Sequence, residues 1–257
     1  LLDKALGCLP SLYETKVDAV RTVELEKNGE KTEIKETENY TEQSLKKHSK
    51  ICLDFGNHQV GYLTLKLGYK GSHPDAPVWM RIHFAENPRE LFEDAESYQG
   101  WICSSWIEEE RIHVDVIPSE VKLPRRYAFR YVVIEILDIS SKFDLVIEKA
   151  ECTAVSCVRD EELLDFQAQS PYLKRLDQVA CRTLHNCMQT VFEDGPKRDR
   201  RLWMGDLRIQ ALTNYQTYKK SSLVKACLYL FAALPMEDGK VGACLFLEPE
   251  PEVDDTQ

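Results

Sequence analysis

The sequence predicts a jelly-roll-like antiparallel β-sandwich followed by a set of α-helices. From Ile51 to about Val158, apolar residues recur at every second position in short runs that turn-forming residues separate. After Arg159 the apolar spacing changes to three and four residues. A period of two is typical of strands that cover a core on one face, and a period near 3.6 is typical of amphipathic helices.

Residues 1–49 are predicted to form an N-terminal connecting segment that contains a hairpin. Two alternating runs, residues 19–25 and 32–35, lie on either side of Asn28-Gly29. Asn-Gly favours the tight turn that joins two antiparallel strands. Residues 36–50 are polar and charged, which is typical of an exposed connection.

The predicted sandwich domain covers residues 50–158. Its alternating runs are residues 51–55, 62–67, 78–84, 112–116, 130–136 and 145–148. The turn-forming segments that separate these runs are Gly56-Asn57, residues 68–77, Pro118, Pro124 and residues 138–142. Many short strands with turn signals between them indicate two packed antiparallel layers.

A long loop between strands is predicted at residues 86–105, next to three aromatic residues, Tyr98, Trp101 and Trp106. Long loops on a sandwich often carry binding surface, and aromatic faces suit sugar rings. The alternative is that these side chains pack the loop down or seat a neighbouring domain. We favour the second interpretation.

Residues 159–257 are predicted to begin a helical domain. Ser170-Pro171 is typical of a helix start, because proline fits the first helical position. Two further helices are predicted over residues 205–218 and 221–234. Three helices in this length form a weak domain by themselves, so their apolar faces are expected to need additional partners.

The net charge and the apolar segments limit the kinds of partner that the chain is expected to bind. The 257 residues carry a formal net charge of -10, so nucleic acid and anionic membranes are not expected partners. The longest apolar segment, residues 223–234, is too short to span a bilayer. A surplus of carboxylates is compatible with neutral ligands such as sugars.

The cysteines indicate a reducing compartment. There are nine, none in a Cys-x-x-Cys pair, and several occupy apolar positions. A cytoplasmic location is expected. Because the chain begins at Leu1, we expect an upstream segment to be missing, and secretion stays open.

The chemistry-bearing segment is predicted between the first two helices, at residues 193–206. It combines four carboxylates, four basic side chains and one tryptophan: Glu193, Asp194, Asp199, Asp206, Lys197, Arg198, Arg200, Arg201 and Trp203. Glycoside hydrolysis needs a carboxylic acid to protonate the leaving oxygen, and other carboxylates to bind hydroxyls. A mixed cluster can hold one acid protonated and its neighbour ionised. By composition alone, a surface ion-pair loop is the commoner meaning of such a run.

The order of residues in this loop resembles a family signature, D-x-P-x-R-[D/E]-R-x-x-W-x-G-D. The matching positions are Asp194, Pro196, Arg198, Asp199, Arg200, Trp203, Gly205 and Asp206. The signature is that of α-L-rhamnosidases, glycoside hydrolase family 78, and of the wider six-hairpin glycosidases. Residues 98–102 and 123–131 are also similar to segments of that family, so the resemblance extends from about Ile51 to the end of the chain.

The resemblance implies an inverting hydrolase that removes terminal α-L-rhamnose and folds its catalytic domain as an (α/α)6 barrel. By this analogy Asp199 takes the general-acid position. Asp194, Arg198 and Asp206 would bind sugar hydroxyls, and Trp203 would form a wall of the pocket. The resemblance implies no metal and no cofactor.

The sequence departs from the family pattern in two respects. Members usually have glutamate where this chain has Asp199, whose side chain is one methylene shorter, and a misplacement on that scale can cost about 100-fold in rate. There are two alternatives. The chain belongs to a subgroup whose backbone is adjusted to aspartate at this position, or Asp199 only binds the sugar. The barrel also needs twelve helices, and the general base lies in a part that this chain lacks. We therefore expect residues 1–257 alone to be inactive.

Other functions stay open at this point. A non-catalytic carbohydrate-binding protein of the same fold, a six-hairpin hydrolase for another sugar, and a helical docking surface are the alternatives. The sugar, the linkage, the leaving group and the oligomeric state are not determined by the sequence, and a homodimer is compatible with it. His83 and His113 are predicted to be ordinary sheet positions, and His185 to lie near the loop without a chemical role.

Overall fold

The structure, a computed structural model, describes residues 1–28, 31–37, 39–166 and 170–255. The chain divides into two compact units. One is a sandwich unit, Thr15–Ala154, and the other is a helical unit formed by Leu1–Glu14 together with Val155–Gln257.

The part of the sandwich unit that the structure describes has nine strands, and the pairings with a determined register are all antiparallel. The strands are β1 (Tyr13–Asp18), β2 (Arg21–Asn28), β3 (Lys31–Glu36), β4 (Lys50–Gly71), β5 (Val78–Ala85), β6 (Glu109–Val114), β7 (Ser119–Lys122), β8 (Tyr127–Asp138) and β9 (Phe143–Ser156). Short 3-10 helices occupy Tyr40–Glu42, Pro88–Phe92 and Ser104–Trp106. The predicted antiparallel sandwich is confirmed.

Strand β4 pairs with both β8 and β9 along its length. Lys50–Asp54 and Gln59–Gly61 pair with β8, and Gly61–Gly71 pairs with β9. The sequence predicted that Gly56-Asn57 would end a strand, and this was wrong. Gly56 instead has a positive φ of 77° at a register shift between Asp54 and Gln59, so the strand bends and continues.

The core of the sandwich unit follows the predicted alternation. Its largest fully buried side chains are Tyr127, Phe55, Phe84, Phe129, Leu53, Leu63, Leu65, Leu67, Met80, Ile82 and Ile134. Each buried aliphatic or aromatic side chain contributes roughly 1.5–3 kcal/mol through its removal from water. Gly61 is required by close approach, because a Cβ atom there would lie 2.2 Å from the carbonyl oxygen of Thr153.

The N-terminal residues differ from the predicted connecting segment. Strands β2 and β3 pair as a hairpin from Val23↔Glu36 to Asn28↔Lys31, while Gly29 lies outside the described residues. Residues from Thr15 onward belong to the sandwich unit, and Leu1–Glu14 belongs to the helical unit. Burial explains the difference, since Ala5 is fully buried among the helices and Val23 is buried beside β4.

Within its described residues, the helical unit contains four α-helices: α1 (Leu2–Leu6), α2 (Pro171–Cys187), α3 (Met204–Gln216) and α4 (Ser221–Ala233). The predicted start at Ser170-Pro171 is confirmed, with Ser170 as the N-cap residue. The other two predicted helices are each present to within two residues of their expected bounds. None of the helices in the described part of the chain is long and apolar enough to cross a membrane.

Three short strands also lie in the described part of the helical unit, and they were not predicted. They are β10 (Leu202–Trp203), β11 (Cys244–Phe246) and β12 (Glu252–Asp254), paired antiparallel in that order. They are too short to show a period in the sequence. The unit's core includes Met188, Phe192, Leu202, Leu223, Leu230 and Leu245.

Candidate functional site

The acidic loop leads from the end of α2 to β10 and α3, and its ends are closed by a pair of hydrogen bonds. The N–H of Asp194 donates to the carbonyl oxygen of Arg201, and the N–H of Arg201 donates to Oδ1 of Asp194, both at 3.0 Å. At the start of the loop, Nε2 of Gln210 donates to the carbonyl oxygen of Glu193 at 2.7 Å. These hydrogen bonds close the loop at its two ends and attach its start to Gln210.

The tip of the loop has a left-handed backbone. Asp199 has a φ of 64° and Arg200 a φ of 56°. Left-handed conformations are costly for residues with a Cβ atom and are commonest for glycine, asparagine and aspartate. The tip is held by the Arg200 side chain, whose Nε donates to the carbonyl oxygen of Pro196 at 2.7 Å.

The left-handed turn presents Asp199 beside a cation. Nη2 of Arg198 lies 3.6 Å from Oδ2 of Asp199, and 28% of the Asp199 side chain remains exposed. Both groups are thus accessible from solvent while held near one another. A carboxyl and a guanidinium in this arrangement can together bind a polar ligand such as a sugar hydroxyl.

Asp194 lies deeper and has a different electrostatic environment. Burial raises the pKa of the Asp194 carboxyl above its usual value, and the negative charge of Asp199 acts in the same direction. Hydrogen bonds from the backbone N–H groups of Arg201 and Gly195 oppose the rise. The loop therefore holds two neighbouring carboxyl groups in unlike surroundings, which is a recurrent feature of acid–base sites.

Trp203 and Asp206 follow at the C-terminal end of the loop. Trp203 is in β10 opposite Cys244, and its Nε1 is buried without a hydrogen-bond partner among the described residues. Asp206 is exposed in the first turn of α3, where the helix dipole favours a carboxylate. Asp199 pairs with Arg198 and its charge acts on Asp194, so the structure brings these three predicted site residues together. It positions Trp203 and Asp206 on the adjoining strand and helix.

Two further residues shape this loop and were not predicted as site residues. Nη1 of Arg201 donates to Oδ2 of Asp254 at 3.0 Å, so the side chain ties the loop to β12. Asp254 lies 53 residues further along the chain. No local spacing in the sequence could have indicated this pair.

The other residues singled out in the sequence have structural environments. His83 and His113 lie on β5 and β6, as predicted, and the His113 ring stacks on Trp79 with ring centroids 5.4 Å apart. Burial lowers the pKa of His185, and the nearby Arg182 charge adds to the effect. Among the described residues, no group of three or more His, Cys, Asp or Glu side chains is arranged to hold a metal ion.

The long loop of the sandwich unit differs from the favoured prediction at one position. Trp101 is 91% exposed, so it does not pack the loop down. Trp106 is also exposed at 36%, at the end of the 3-10 helix Ser104–Trp106.

Two domain families match the chain. The glycosyl hydrolase family 78 alpha-rhamnosidase N-terminal domain matches residues 16–154, which is more than half of the chain. The bacterial alpha-L-rhamnosidase six-hairpin glycosidase domain matches residues 161–254. A comparison with curated proteins gave no significant match.

Solved structures agree with these matches. The chain is similar to a rhamnosidase from Klebsiella oxytoca with rhamnose bound, with 39% identity and a TM-score of 0.95 over 99% of this chain and 51% of that one. A family 78 rhamnosidase of Bacillus sp. GL1 shares the fold, with 19% identity and a TM-score of 0.59 over 72% of this chain and 18% of that one. So does a Streptomyces avermitilis alpha-L-rhamnosidase complexed with L-rhamnose, with 17% identity and a TM-score of 0.59 over 91% and 20%.

The chain thus spans about half the length of the Klebsiella protein. Its sandwich unit, Thr15–Ala154, corresponds almost residue for residue to the matched N-terminal domain, and the loop lies inside the matched six-hairpin segment. The chain therefore belongs to glycosyl hydrolase family 78, the alpha-rhamnosidases.

Proposed function

We propose that the full-length protein hydrolyses terminal α-L-rhamnose from glycosides with inversion of configuration, and that Asp199 is its general acid. The observation that carries the proposal is the left-handed turn that holds Asp199 beside Arg198. Strained backbone at non-glycine residues clusters at functional sites, where the surrounding structure maintains it. The rhamnose in the similar Klebsiella structure supports the choice of sugar.

In this mechanism Asp199 protonates the glycosidic oxygen as the bond to the leaving group breaks. Asp194, Arg198 and Asp206 bind the sugar hydroxyls, and Trp203 bounds the pocket. A second carboxylate, roughly 6.5–9.5 Å from the acid, must activate the attacking water in an inverting site. We propose that this base comes from a segment outside the 257 residues.

The same reasoning predicts that residues 1–257 are inactive alone. Helix α2 exposes apolar residues along its N-terminal half. Leu173 and Leu176 are 48% and 54% exposed, although Leu173 lies on the same side of the helix as Leu184, which is buried near the C-terminal end. Helix α3 has apolar residues on two faces, with Leu207 buried on one and Leu212 57% exposed on the other. An apolar helix surface is normally covered, so this unit is proposed to be completed by further helices.

The test is hydrolysis of p-nitrophenyl α-L-rhamnoside by the full-length protein, with Asp199→Asn and Asp199→Glu beside it. Asp199→Asn is expected to lose at least about 100-fold in kcat, while Asp199→Glu keeps or raises activity. Asp238→Asn, at a surface pair with Lys240, is the matched control. The initial product should be the β-anomer by proton NMR.

Two outcomes would favour the alternatives. Activity on another aryl glycoside but not on the rhamnoside would assign a different sugar to the same site. No hydrolysis of any aryl glycoside, together with rhamnose binding that Asp194→Asn abolishes, would indicate a carbohydrate-binding protein.

We also propose a reducing, cytoplasmic location. No disulfide joins the nine cysteines, all of which lie in the described part of the chain. Expression of a tagged full-length gene and cell fractionation would test the location directly.

A further inference from the structure

The Asp194 carboxylate is held by a residue that is itself anchored to the C-terminal strand. Arg201 donates its backbone N–H to Oδ1 of Asp194, and its carbonyl oxygen accepts the N–H of Asp194. The position of Asp194 therefore depends on where the backbone of Arg201 lies.

Three contacts fix the side chain of Arg201. Nη1 lies 3.0 Å from Oδ2 of Asp254 and 3.9 Å from Sγ of Cys244. The guanidinium also lies over the ring of Phe246, 5.2 Å from its centroid. All three partners lie in β11 and β12, and Asp254 is the charged one.

The register of the small sheet explains why these groups meet. Trp203 pairs with Cys244, and Cys244 pairs with Asp254, so the three residues form one row across β10, β11 and β12. Arg201 precedes Trp203 by two residues, and its side chain extends to Asp254 at the end of β12. The guanidinium and the Asp254 carboxylate are each about one-third exposed or less, at 33% and 26%, so the pair is only partly screened by solvent.

We propose that Asp254, acting through Arg201, is a positioning residue that holds Asp194 in place for binding of the sugar. The inference rests on the proposed rhamnosidase function. Asp254 is not proposed to touch the substrate. Its effect is to keep the Arg201 backbone where its N–H meets Asp194, so that the carboxylate does not have to be ordered when the sugar binds.

A positioning role differs from a merely structural one in its kinetic effect. Asp194 is proposed to bind hydroxyl groups that are unchanged during the reaction, so its contribution is present in both the ground state and the transition state. Loss of such uniform binding raises KM and leaves kcat unchanged. A global weakening of the fold would instead lower the melting temperature and the amount of active enzyme.

The kinetic test compares Asp254→Asn, Asp254→Glu and the surface control Asp238→Asn in the full-length protein. We expect Asp254→Asn to raise KM for p-nitrophenyl α-L-rhamnoside about tenfold with kcat within about twofold. Asp254→Glu keeps the charge and should recover most of the loss, while Asp238→Asn should match the wild type. An unchanged KM in Asp254→Asn, or a fall in kcat alone, overturns the proposal.

A second measurement does not depend on activity. Hydrogen exchange of the Arg201 amide in the full-length protein should be at least about tenfold faster in Asp254→Asn than in the wild type and in Asp238→Asn. Equal exchange in the three proteins overturns the proposal even if the enzyme is active. If the wild-type full-length protein hydrolyses no rhamnoside, the proposed function fails. The exchange rates, with calorimetric titration of L-rhamnose into the full-length wild type and Asp254→Asn, then decide the positioning role.

Discussion

Arg130 binds the fully buried carboxylate of Asp54 through two hydrogen bonds, Nε to Oδ1 at 2.8 Å and Nη2 to Oδ2 at 3.0 Å. Arg21 adds two more from the neighbouring strand β2, at 2.9 and 2.8 Å. The N–H of Gly56 completes the set at the bend of β4. This cluster ties β2, β4 and β8 together where the long strand changes direction.

Asp54→Asn should therefore destabilise the chain by about 3 kcal/mol, because it leaves two guanidinium groups without their buried counter-charge. The measurement is the free energy of unfolding in urea at pH 7. Asp138→Asn, at an exposed pair with Lys47, is the matched control and should change stability by less than about 0.5 kcal/mol. Equal effects of the two substitutions would contradict the role given to the cluster.

The same cluster predicts an acid-dependent loss of stability. Burial alone would raise the pKa of Asp54, but the hydrogen bonds from Arg130 and Arg21 outweigh it and hold the pKa below its usual value. Because the folded-state pKa is depressed, the stabilisation is complete above the unfolded value near pH ~4. It is lost as the pH falls through the folded value. Stability curves of the wild type and Asp54→Asn should converge in that acidic range, and a constant difference down to pH 2 would argue against this assignment.

Asp194→Asn is predicted to stabilise the fold while it weakens sugar binding. Burial raises the pKa of Asp194, so its ionised form is less favourable in the folded chain than in the unfolded one. Asparagine keeps an oxygen to accept the N–H of Arg201. The gain at pH 7 should be at most about 0.5 kcal/mol, since solvent screens this half-buried group. It should vanish in the acidic range where Asp194 is protonated in both states, and urea unfolding at two pH values measures it.

Cys103 is predicted to be the thiol that alkylates first. It is exposed, and hydrogen bonds from the Ser105 hydroxyl and backbone lower its pKa. Burial raises the pKa of Cys152 and Cys227 to about 12, which leaves almost no thiolate near neutral pH. Iodoacetamide labelling at pH 8, followed by peptide mass spectrometry, should show Cys103 modified before the buried thiols. Ser105→Ala should slow its labelling several-fold, and an unchanged rate would remove Ser105 from the explanation.

The exposed apolar surfaces of α2 and α3 predict self-association of the 257-residue chain. Replacement of Leu176 and Leu212 by lysine should reduce association in light scattering after gel filtration. It should shift the melting temperature by no more than about 2 °C, because the two side chains are already exposed. Leu184→Lys, at a buried position of α2, is the contrast and should unfold the unit. A monomer at all concentrations in the wild type would contradict the prediction.

Local patterns in the sequence determined much of the fold. Alternation in runs such as Val78 to Phe84 predicted strands of the sandwich, because side chains on a pleated strand point alternately to the core and to solvent. Ser170-Pro171 predicted the start of α2, because the ring of proline suits the first turn of a helix. The order of residues from Asp194 to Asp206 carried the family resemblance. These features depend on neighbours along the chain, so one sequence is enough to reveal them.

The tertiary structure alone decided what depends on residues that are distant along the chain. It showed β4 continuing through Gly56, because pairing with β8 and β9 on either side of the bend outweighs the local turn preference. It brought Asp254 to Arg201 across 53 residues, and Arg130 to Asp54 across 76. Charge pairs of this kind have no period and no fixed spacing. The sequence by itself therefore predicted which residues carry the chemistry, and only the folded chain determined which distant residues contact them.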